Sequence, residues 1–219
     1  MNLDIGHTRA IITLAKIRGL LRNELAYVLA TAYWETARSM MPIKETVMLS
    51  HKDKNPSDAT VKSRLTTAWK RGRLPWVRSD YWSGGFFGRG YVQLTHKANY
   101  EKAGRILGVD MVSDPTKALD PQVAQMVLVR GMQEGWFTGK KLSDYITISK
   151  SDFVGARRII NGTDKAAEIA AIAEQYDDAL LAEGYGIVRP DVGPAAPPPP
   201  AAMPAWLAAI IALFTRGRK

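Results

Sequence analysis

The chain has no cysteine among its 219 residues and three scattered histidines, His7, His51 and His96. The lack of cysteine excludes a disulfide framework, a thiolate nucleophile and thiolate-type zinc sites. It also suits a protein made in a reducing cytoplasm. Because the histidines follow no zinc-binding spacing, we expect neither a metal nor another cofactor.

Long apolar runs are missing as well. No stretch of about 20 apolar residues occurs, so we expect no conventional transmembrane helix. The N-terminal residues 1–4 lack a basic region before the first apolar stretch, which predicts that there is no standard signal peptide. Acidic residues are outnumbered, 21 against 30 basic ones, and the net charge is +9. Such a chain is attracted to nucleic acid, anionic membrane or anionic cell-wall polymer, and charge alone does not choose among them.

What the chain does contain is enough apolar sequence for a folded domain. Hydrophobic residues make up 46% and charged residues 23%, and the length allows one domain with a tail. Apolar periodicity and Pro, Gly and Asp positions predict helices over 8–19, 23–39, 58–71, 121–134 and 164–182. Residues 82–95 combine glycines with alternating apolar positions, which predicts a turn or short hairpin. The expected fold class is mainly α with a small β-hairpin element.

Composition divides the chain into three parts. Residues 1–188 read as the folded domain, and 189–204, with seven prolines, read as a semi-rigid Pro-rich linker. Residues 205–219 form an apolar and cationic tail, with Trp206 to Phe214 followed by Arg216, Arg218 and Lys219. The apolar part is only about 15 Å long if helical, too short to span a bilayer. It fits either insertion into the surface of an anionic membrane or a helix docked on protein.

Two carboxyl groups are the strongest chemical signal. Glu35 lies in the apolar, helix-like stretch Ala32-Tyr33-Trp34-Glu35-Thr36, and Glu45 follows ten residues later, after Pro42. Two carboxyl groups in different surroundings can differ in pKa, as acid/base hydrolysis of a glycosidic bond requires. On a helix, Glu35 falls within about 20° of Val28, on or beside the buried face. The alternative is two surface glutamates in ordinary salt bridges, since only a break at Pro42 could bring the pair together.

A longer sequence motif follows the two glutamates along the chain. The stretch Gly88-Arg89-Gly90-Tyr91-Val92-Gln93-Leu94-Thr95-His96-Lys97-Ala98-Asn99-Tyr100 resembles a signature of glycoside hydrolase family 19, the family of chitinases and phage endolysins. Two later segments, 131–139 and 158–162, resemble motifs of the same family in the same order. The resemblance covers about residues 20–185 and implies a lysozyme-like glycosidase fold.

The resemblance also implies roles for individual residues. Glu35 would be the general acid and Glu45 the general base, and Thr95 would hold the attacking water with Glu45. The predicted substrate-binding residues are Gln93, Asn99, Asn161, Tyr91 and Arg89. Trp34 stands where plant members often have histidine, and no equivalent of the family's late arginine is evident after Asn161 until Arg189. Both departures fit a cell-wall enzyme better than a plant-type chitinase.

Residues 60–90 are rich in basic and aromatic side chains. Seven Lys or Arg residues accompany one acid, Asp80, and Trp, Tyr and Phe residues are interleaved with them. Such a surface could stack bases of single-stranded nucleic acid, or stack sugar rings and attract anionic murein. The alternative places the aromatic rings in the core and the basic groups in water.

These observations together predict a phage-type endolysin that hydrolyses β-1,4 links of bacterial peptidoglycan by inversion. Inversion requires carboxyl groups about 6.5–9.5 Å apart. A monomer is expected that acts on glycan strands, contacts anionic membrane through Trp206–Lys219 and binds no nucleic acid. It would wait in the host cytoplasm and then act in the periplasm and cell wall. The alternatives are a chitinase with the same chemistry, a non-catalytic wall-binding module, or a basic nucleic-acid binder.

Overall fold

The computed structural model describes residues 1–45, 53 and 55–186, and Met1–Tyr185 form one compact unit. The whole predicted Pro-rich linker (189–204) and the whole predicted tail (205–219) lie outside the described residues. The described helices are α1 (Thr8–Ile17), α2 (Arg22–Glu35), α3 (Asp58–Lys70), α4 (Lys97–Leu107), α5 (Pro121–Glu134) and α6 (Ala166–Ala182). Short 3-10 turns occupy Pro115–Leu119, Leu142–Asp144 and Gly155–Ile159. The predicted mainly α, lysozyme-like architecture is confirmed.

Helix α2 is the centre of the main core. Its residues from Leu25 to Ala32 are all buried, so the helix is surrounded by protein over two full turns. It packs most extensively against α6, where the rings of Tyr33 and Tyr176 meet edge to face at 6.0 Å. Burying each such apolar side chain contributes roughly 1.5–3 kcal/mol. The end of α2 is therefore a firmly held position from which to present a side chain.

The predicted end of this helix, at residue 39, is wrong. Helix α2 stops at Glu35 because the Thr36 hydroxyl donates to the Ala32 carbonyl and accepts from the Met40 amide. Ala37 and Arg38 then take left-handed backbone conformations, with φ of 48° and 69°. The chain turns sharply before Pro42 instead of at it, and Glu35 becomes the last residue of the helix.

Two small antiparallel sheets complete the described fold. Strand β1 (Ile43–Lys44) pairs with β2 (Arg89–Gly90), and β3 (Ile146–Thr147) pairs with β4 (Lys150–Ser151). The predicted hairpin within 82–95 is reduced to a tight turn closed by Arg89 and Leu94, because β2 pairs with the distant β1. Neither the β3–β4 hairpin nor helix α4 was predicted.

A second, smaller core lies beside the β1–β2 sheet. It contains Val61, Leu65, Trp82 and Phe87, with Val77 and Tyr81 packed against it. The aromatic side chains of the basic segment are thus divided, with Trp82 and Phe87 buried and Trp76 exposed. Within the described part of the chain, no helix has the length and apolarity needed to cross a membrane.

Candidate active site

One cleft of about 600 Å³ collects most of the predicted site residues. Glu35, Glu45, Thr95, Gln93, Asn99 and Asn161 all line it. They come from the end of α2, the residue after β1, the turn before α4, the first turn of α4, and the segment after Gly155–Ile159. Residues 35 and 161 are far apart in sequence, so only the fold brings these groups to one surface.

Glu35 has a charged partner that sequence reasoning missed. Nη1 of Arg157 donates to Oε1 of Glu35 at 2.8 Å, and Nε of Arg157 donates to the Asp164 carbonyl at 3.0 Å. The Arg157 side chain is 5% exposed and that of Glu35 is 19% exposed. The sequence around Glu35 is apolar, but its carboxyl group lies beside a guanidinium. Arg157 directly precedes the Arg158–Gly162 motif, whereas the family's late arginine was expected after Asn161.

Glu45 is oriented by two donors. The Tyr81 hydroxyl donates to Oε1 at 2.6 Å, and the Gly88 amide donates to Oε2 at 2.8 Å. Both oxygens therefore act as acceptors, as those of an ionised carboxylate do. Burial and then the Glu45 charge raise the pKa of Tyr81, which keeps its hydroxyl protonated and donating. The role of Tyr81 was not predicted, because it lies outside the quoted motif.

Position 88 is closely packed against the side chains of Gln93 and Glu45. A Cβ there would lie 2.7 Å from Oε1 of Gln93 and 3.3 Å from Cβ of Glu45. The first distance is shorter than real Cβ contacts. A larger residue would force the Gln93 side chain to move, whereas glycine lets the backbone just before β2 lie close enough to Glu45 for the Gly88 amide to donate to it.

An ion-pair network fixes the strand that carries Glu45. Asp58, at the start of α3, pairs with Lys44 at 2.7 Å and with Arg89 at 2.8 Å. Burial acts to raise the pKa of Asp58, but the hydrogen bond from Lys44 and the charges of both cations outweigh it and lower that pKa. Lys44 precedes Glu45 directly, so the network holds β1 and β2 together where the carboxyl group leaves the sheet.

The structure corrects the predicted substrate contacts of Arg89 and Tyr91. Neither residue lines the cleft, and both are buried, Arg89 to 1% exposure and Tyr91 to 0%. Arg89 also donates to the Gly85 carbonyl and the Tyr100 hydroxyl, while the Tyr91 hydroxyl lies 2.6 Å from Nδ1 of His7. Buried polar groups with such internal partners hold the turn in place and cannot reach a ligand in the cleft.

Thr95 and its neighbours form a braced turn. The Thr95 hydroxyl donates to the Gln93 carbonyl at 2.6 Å, which leaves its oxygen lone pairs as acceptors. Nε2 of Gln93 donates to the carbonyls of Ile43 and Gly90, and Nδ2 of Asn99 donates to that of Thr95. Gln93 and His96 have φ of 53° and 69°, a conformation that costs about 1–3 kcal/mol for residues other than glycine. Backbone strain that is held in place by hydrogen bonds of this kind is typical of ligand-binding sites.

Several of the remaining residues that line the cleft are exposed to solvent. Asn161 is exposed and its side-chain oxygen accepts from the Gly162 amide at 2.9 Å. Phe137 and Ile160 lie beside it along the cleft, and Trp76 and Arg78 line it as well. The Trp76 side chain is 73% exposed, the most exposed aromatic residue among those described. No group of three His, Cys, Asp or Glu side chains in the described ranges could hold a metal ion.

Comparisons with known proteins point to one family. Residues 75–138 match the family model described as chitinase class I, of glycoside hydrolase family 19. Over 40 residues the chain is 52% identical to Chitinase 11 of Oryza sativa subsp. japonica, covering 18% of this chain and 16% of that protein. Over 59 residues it is 45% identical to Acidic endochitinase Q of Nicotiana tabacum, covering 27% of this chain and 23% of that protein.

The family-model match covers part of the cleft. The matched segment 75–138 includes Tyr81, Gln93, Thr95 and Asn99, while Glu35, Glu45 and Arg157 lie outside it. The chain spans under a quarter of the length of these two relatives. The resemblance to glycoside hydrolase family 19 is confirmed for residues 75–138, and this match favours a chitinase-like glycoside hydrolase.

Proposed function

We propose that the chain hydrolyses β-1,4-glycosidic bonds of peptidoglycan with Glu35 as general acid and Glu45 as general base. The observation that carries the proposal is that two carboxyl groups with different partners line one cleft. Glu35 faces a guanidinium, and both Glu45 oxygens accept hydrogen bonds from uncharged donors. Acid/base glycosidases need two such carboxyl groups on either side of the bond that breaks.

In the proposed reaction, Glu35 protonates the oxygen of the leaving sugar. Because Arg157 holds Oε1, we assign proton donation to Oε2. A water molecule donates one hydrogen bond to Glu45 and another to the Thr95 oxygen, whose own hydrogen is engaged with the Gln93 carbonyl. Glu45 takes a proton from this water while the water oxygen attacks the anomeric carbon, and the configuration at that carbon inverts.

Peptidoglycan is the proposed polymer because the protein is basic. The net charge of +9 favours an anionic wall polymer over uncharged chitin. Trp76, exposed at the cleft, would provide an aromatic face for a sugar ring. Chitin remains the second candidate, since both named relatives are chitinases. We further propose that the chain acts as a phage endolysin, held in the host cytoplasm until lysis and active in the cell wall.

The test compares purified murein with N-acetylglucosamine oligomers, using the full chain and Glu35→Gln. The amide of the variant can still accept from Arg157 but cannot donate a proton to the leaving oxygen, so the fold should persist and hydrolysis should cease. Mass spectrometry of the digest identifies the new reducing end. Near-normal cleavage by folded Glu35→Gln would refute the assignment of the acid. Cleavage of chitin oligomers without cleavage of murein would make the chain a chitinase.

A further inference from the structure

Arg78 is held at the cleft by the residue next to it. Val77 packs against the smaller core, and its carbonyl accepts from the Trp69 indole at 3.2 Å. Its two neighbours, Trp76 and Arg78, are exposed and line the cleft. Three residues after Arg78, Tyr81 donates to Glu45. The same short segment therefore orients the proposed base and presents a cation to whatever occupies the cleft.

The Arg78 charge has no carboxylate partner among residues 1–45, 53 and 55–186. Other arginines near the site differ, since Arg64 pairs with Asp53, Arg89 with Asp58 and Arg157 with Glu35. The acidic side chains that line the cleft, Glu35 and Glu45, already accept hydrogen bonds from other groups. Arg78 is therefore available to pair with a negative charge on a ligand.

An anionic ligand in this cleft needs such a cation. Glu35 and Glu45 would repel a nearby carboxylate, and an arginine on the same wall offsets that repulsion. The planar guanidinium also matches a carboxylate with two parallel hydrogen bonds. Chitin carries no carboxylate, whereas peptidoglycan carries them on its stem peptides and, once the peptides are removed, on its lactyl groups.

We propose that Arg78 forms a carboxylate-recognition subsite that selects peptidoglycan over chitin. This inference rests on the proposed function, because it assumes that the cleft between Glu35 and Glu45 binds the glycan. Arg78 acts as a specificity-determining residue and takes no part in proton transfer. Its contribution should be sensitive to salt, since exposed charge pairs are screened.

The test separates binding from turnover. Every protein is the full chain carrying Glu35→Gln, so that ligands are not consumed, and calorimetry measures binding of three soluble ligands. These are a chitin tetramer, a peptide-bearing murein tetrasaccharide and the same tetrasaccharide freed of peptide. Arg78→Gln should weaken binding of a carboxylate ligand about threefold to tenfold and change binding of the chitin tetramer less than twofold. Arg78→Lys should retain part of the preference.

Arg105→Gln is the matched control, since Arg105 is exposed on α4 and does not line the cleft. It should leave all three affinities unchanged. A loss confined to the peptide-bearing ligand assigns the carboxylate to the stem peptide, and a loss confined to the peptide-free ligand assigns it to the lactyl group, which is a free carboxylate only there. A loss with both murein ligands means that Arg78 pairs with whichever carboxylate is present. Equal loss for chitin and murein ligands, or no loss for either, would overturn the proposal. Failure of the proposed function shows separately, as an absence of turnover in the protein with Glu35 intact.

Discussion

Arg157→Met removes the guanidinium that holds Glu35 and replaces it with an apolar side chain of similar length. Two hydrogen bonds disappear, one to Oε1 of Glu35 at 2.8 Å and one to the Asp164 carbonyl at 3.0 Å. Breaking a fully buried ion pair costs about 3–5 kcal/mol. The Glu35 side chain is 19% exposed, so water replaces part of the lost interaction, and we expect a loss of about 2–3 kcal/mol in the free energy of unfolding.

The catalytic activity of Arg157→Met should fall as well as its stability, but for a different reason. A hydrogen bond to a charged group contributes about 1.5–3 kcal/mol, and every 1.36 kcal/mol of lost transition-state stabilisation slows the reaction tenfold. If half of the Arg157 contact is needed to hold Glu35 in place, kcat on murein should fall about fourfold to thirteenfold. Arg157→Lys keeps the charge but lacks the rigid fork that reaches both Glu35 and the Asp164 carbonyl, so it should be intermediate.

A double-mutant cycle with Glu35→Gln measures the charged part of the interaction between positions 35 and 157, because the amide still accepts a hydrogen bond from Arg157. Chemical denaturation of the four proteins should give a coupling free energy of about 1–2 kcal/mol between positions 35 and 157. Arg158→Met is the control, because Arg158 is exposed, adjacent in sequence and absent from the cleft lining. A coupling below about 0.3 kcal/mol, together with near-normal kcat for Arg157→Met, would refute the reasoning.

Three further predictions follow from the site and the tail. Glu45→Gln should lose most activity, Tyr81→Phe about tenfold through loss of one donor to Glu45, and Thr95→Ala less than Glu45→Gln. NMR should show the released sugar in the inverted configuration, and retention would exclude Glu45 as the base. Asp58→Asn should reduce unfolding free energy at pH 7 by about 1–3 kcal/mol. Since the folded-state pKa of Asp58 is lowered, this difference should be present above about pH 4 and shrink as pH falls through the folded-state pKa, as urea denaturation at several pH values would reveal. Truncation after Arg189 should leave activity on purified murein unchanged and reduce lysis of intact Gram-negative cells, because it removes an apolar, cationic segment. Equal losses of activity on purified murein and on intact cells would instead show that the tail has a structural role.

The sequence predicts the local parts of this site well. The periodicity of 23–39 and the capping Asp120 and Pro121 are local signals. Helix α5 forms over the predicted range, and α2 forms in the predicted segment but ends four residues earlier, at Glu35. The order of motifs also placed six residues that the fold brings to one cleft. Arg157, in contrast, is 122 residues from Glu35 in sequence, and no pattern within either segment specifies that pair. Contacts of this kind depend on how α2 and the Gly155–Ile159 turn pack.

The errors at Arg89 and Tyr91 have a more specific cause. In a regular strand, residues 89, 91 and 93 would share one face and could contact substrate together, as the family resemblance implied for all three. The structure breaks the alternation, because Gly90 has φ of 87° and Gln93 has φ of 53°. These reversals turn Arg89 and Tyr91 into the protein and leave Gln93 at the cleft. A glycine-rich motif therefore identifies which segment builds a site, while the handedness of each backbone step decides which of its side chains can touch a ligand.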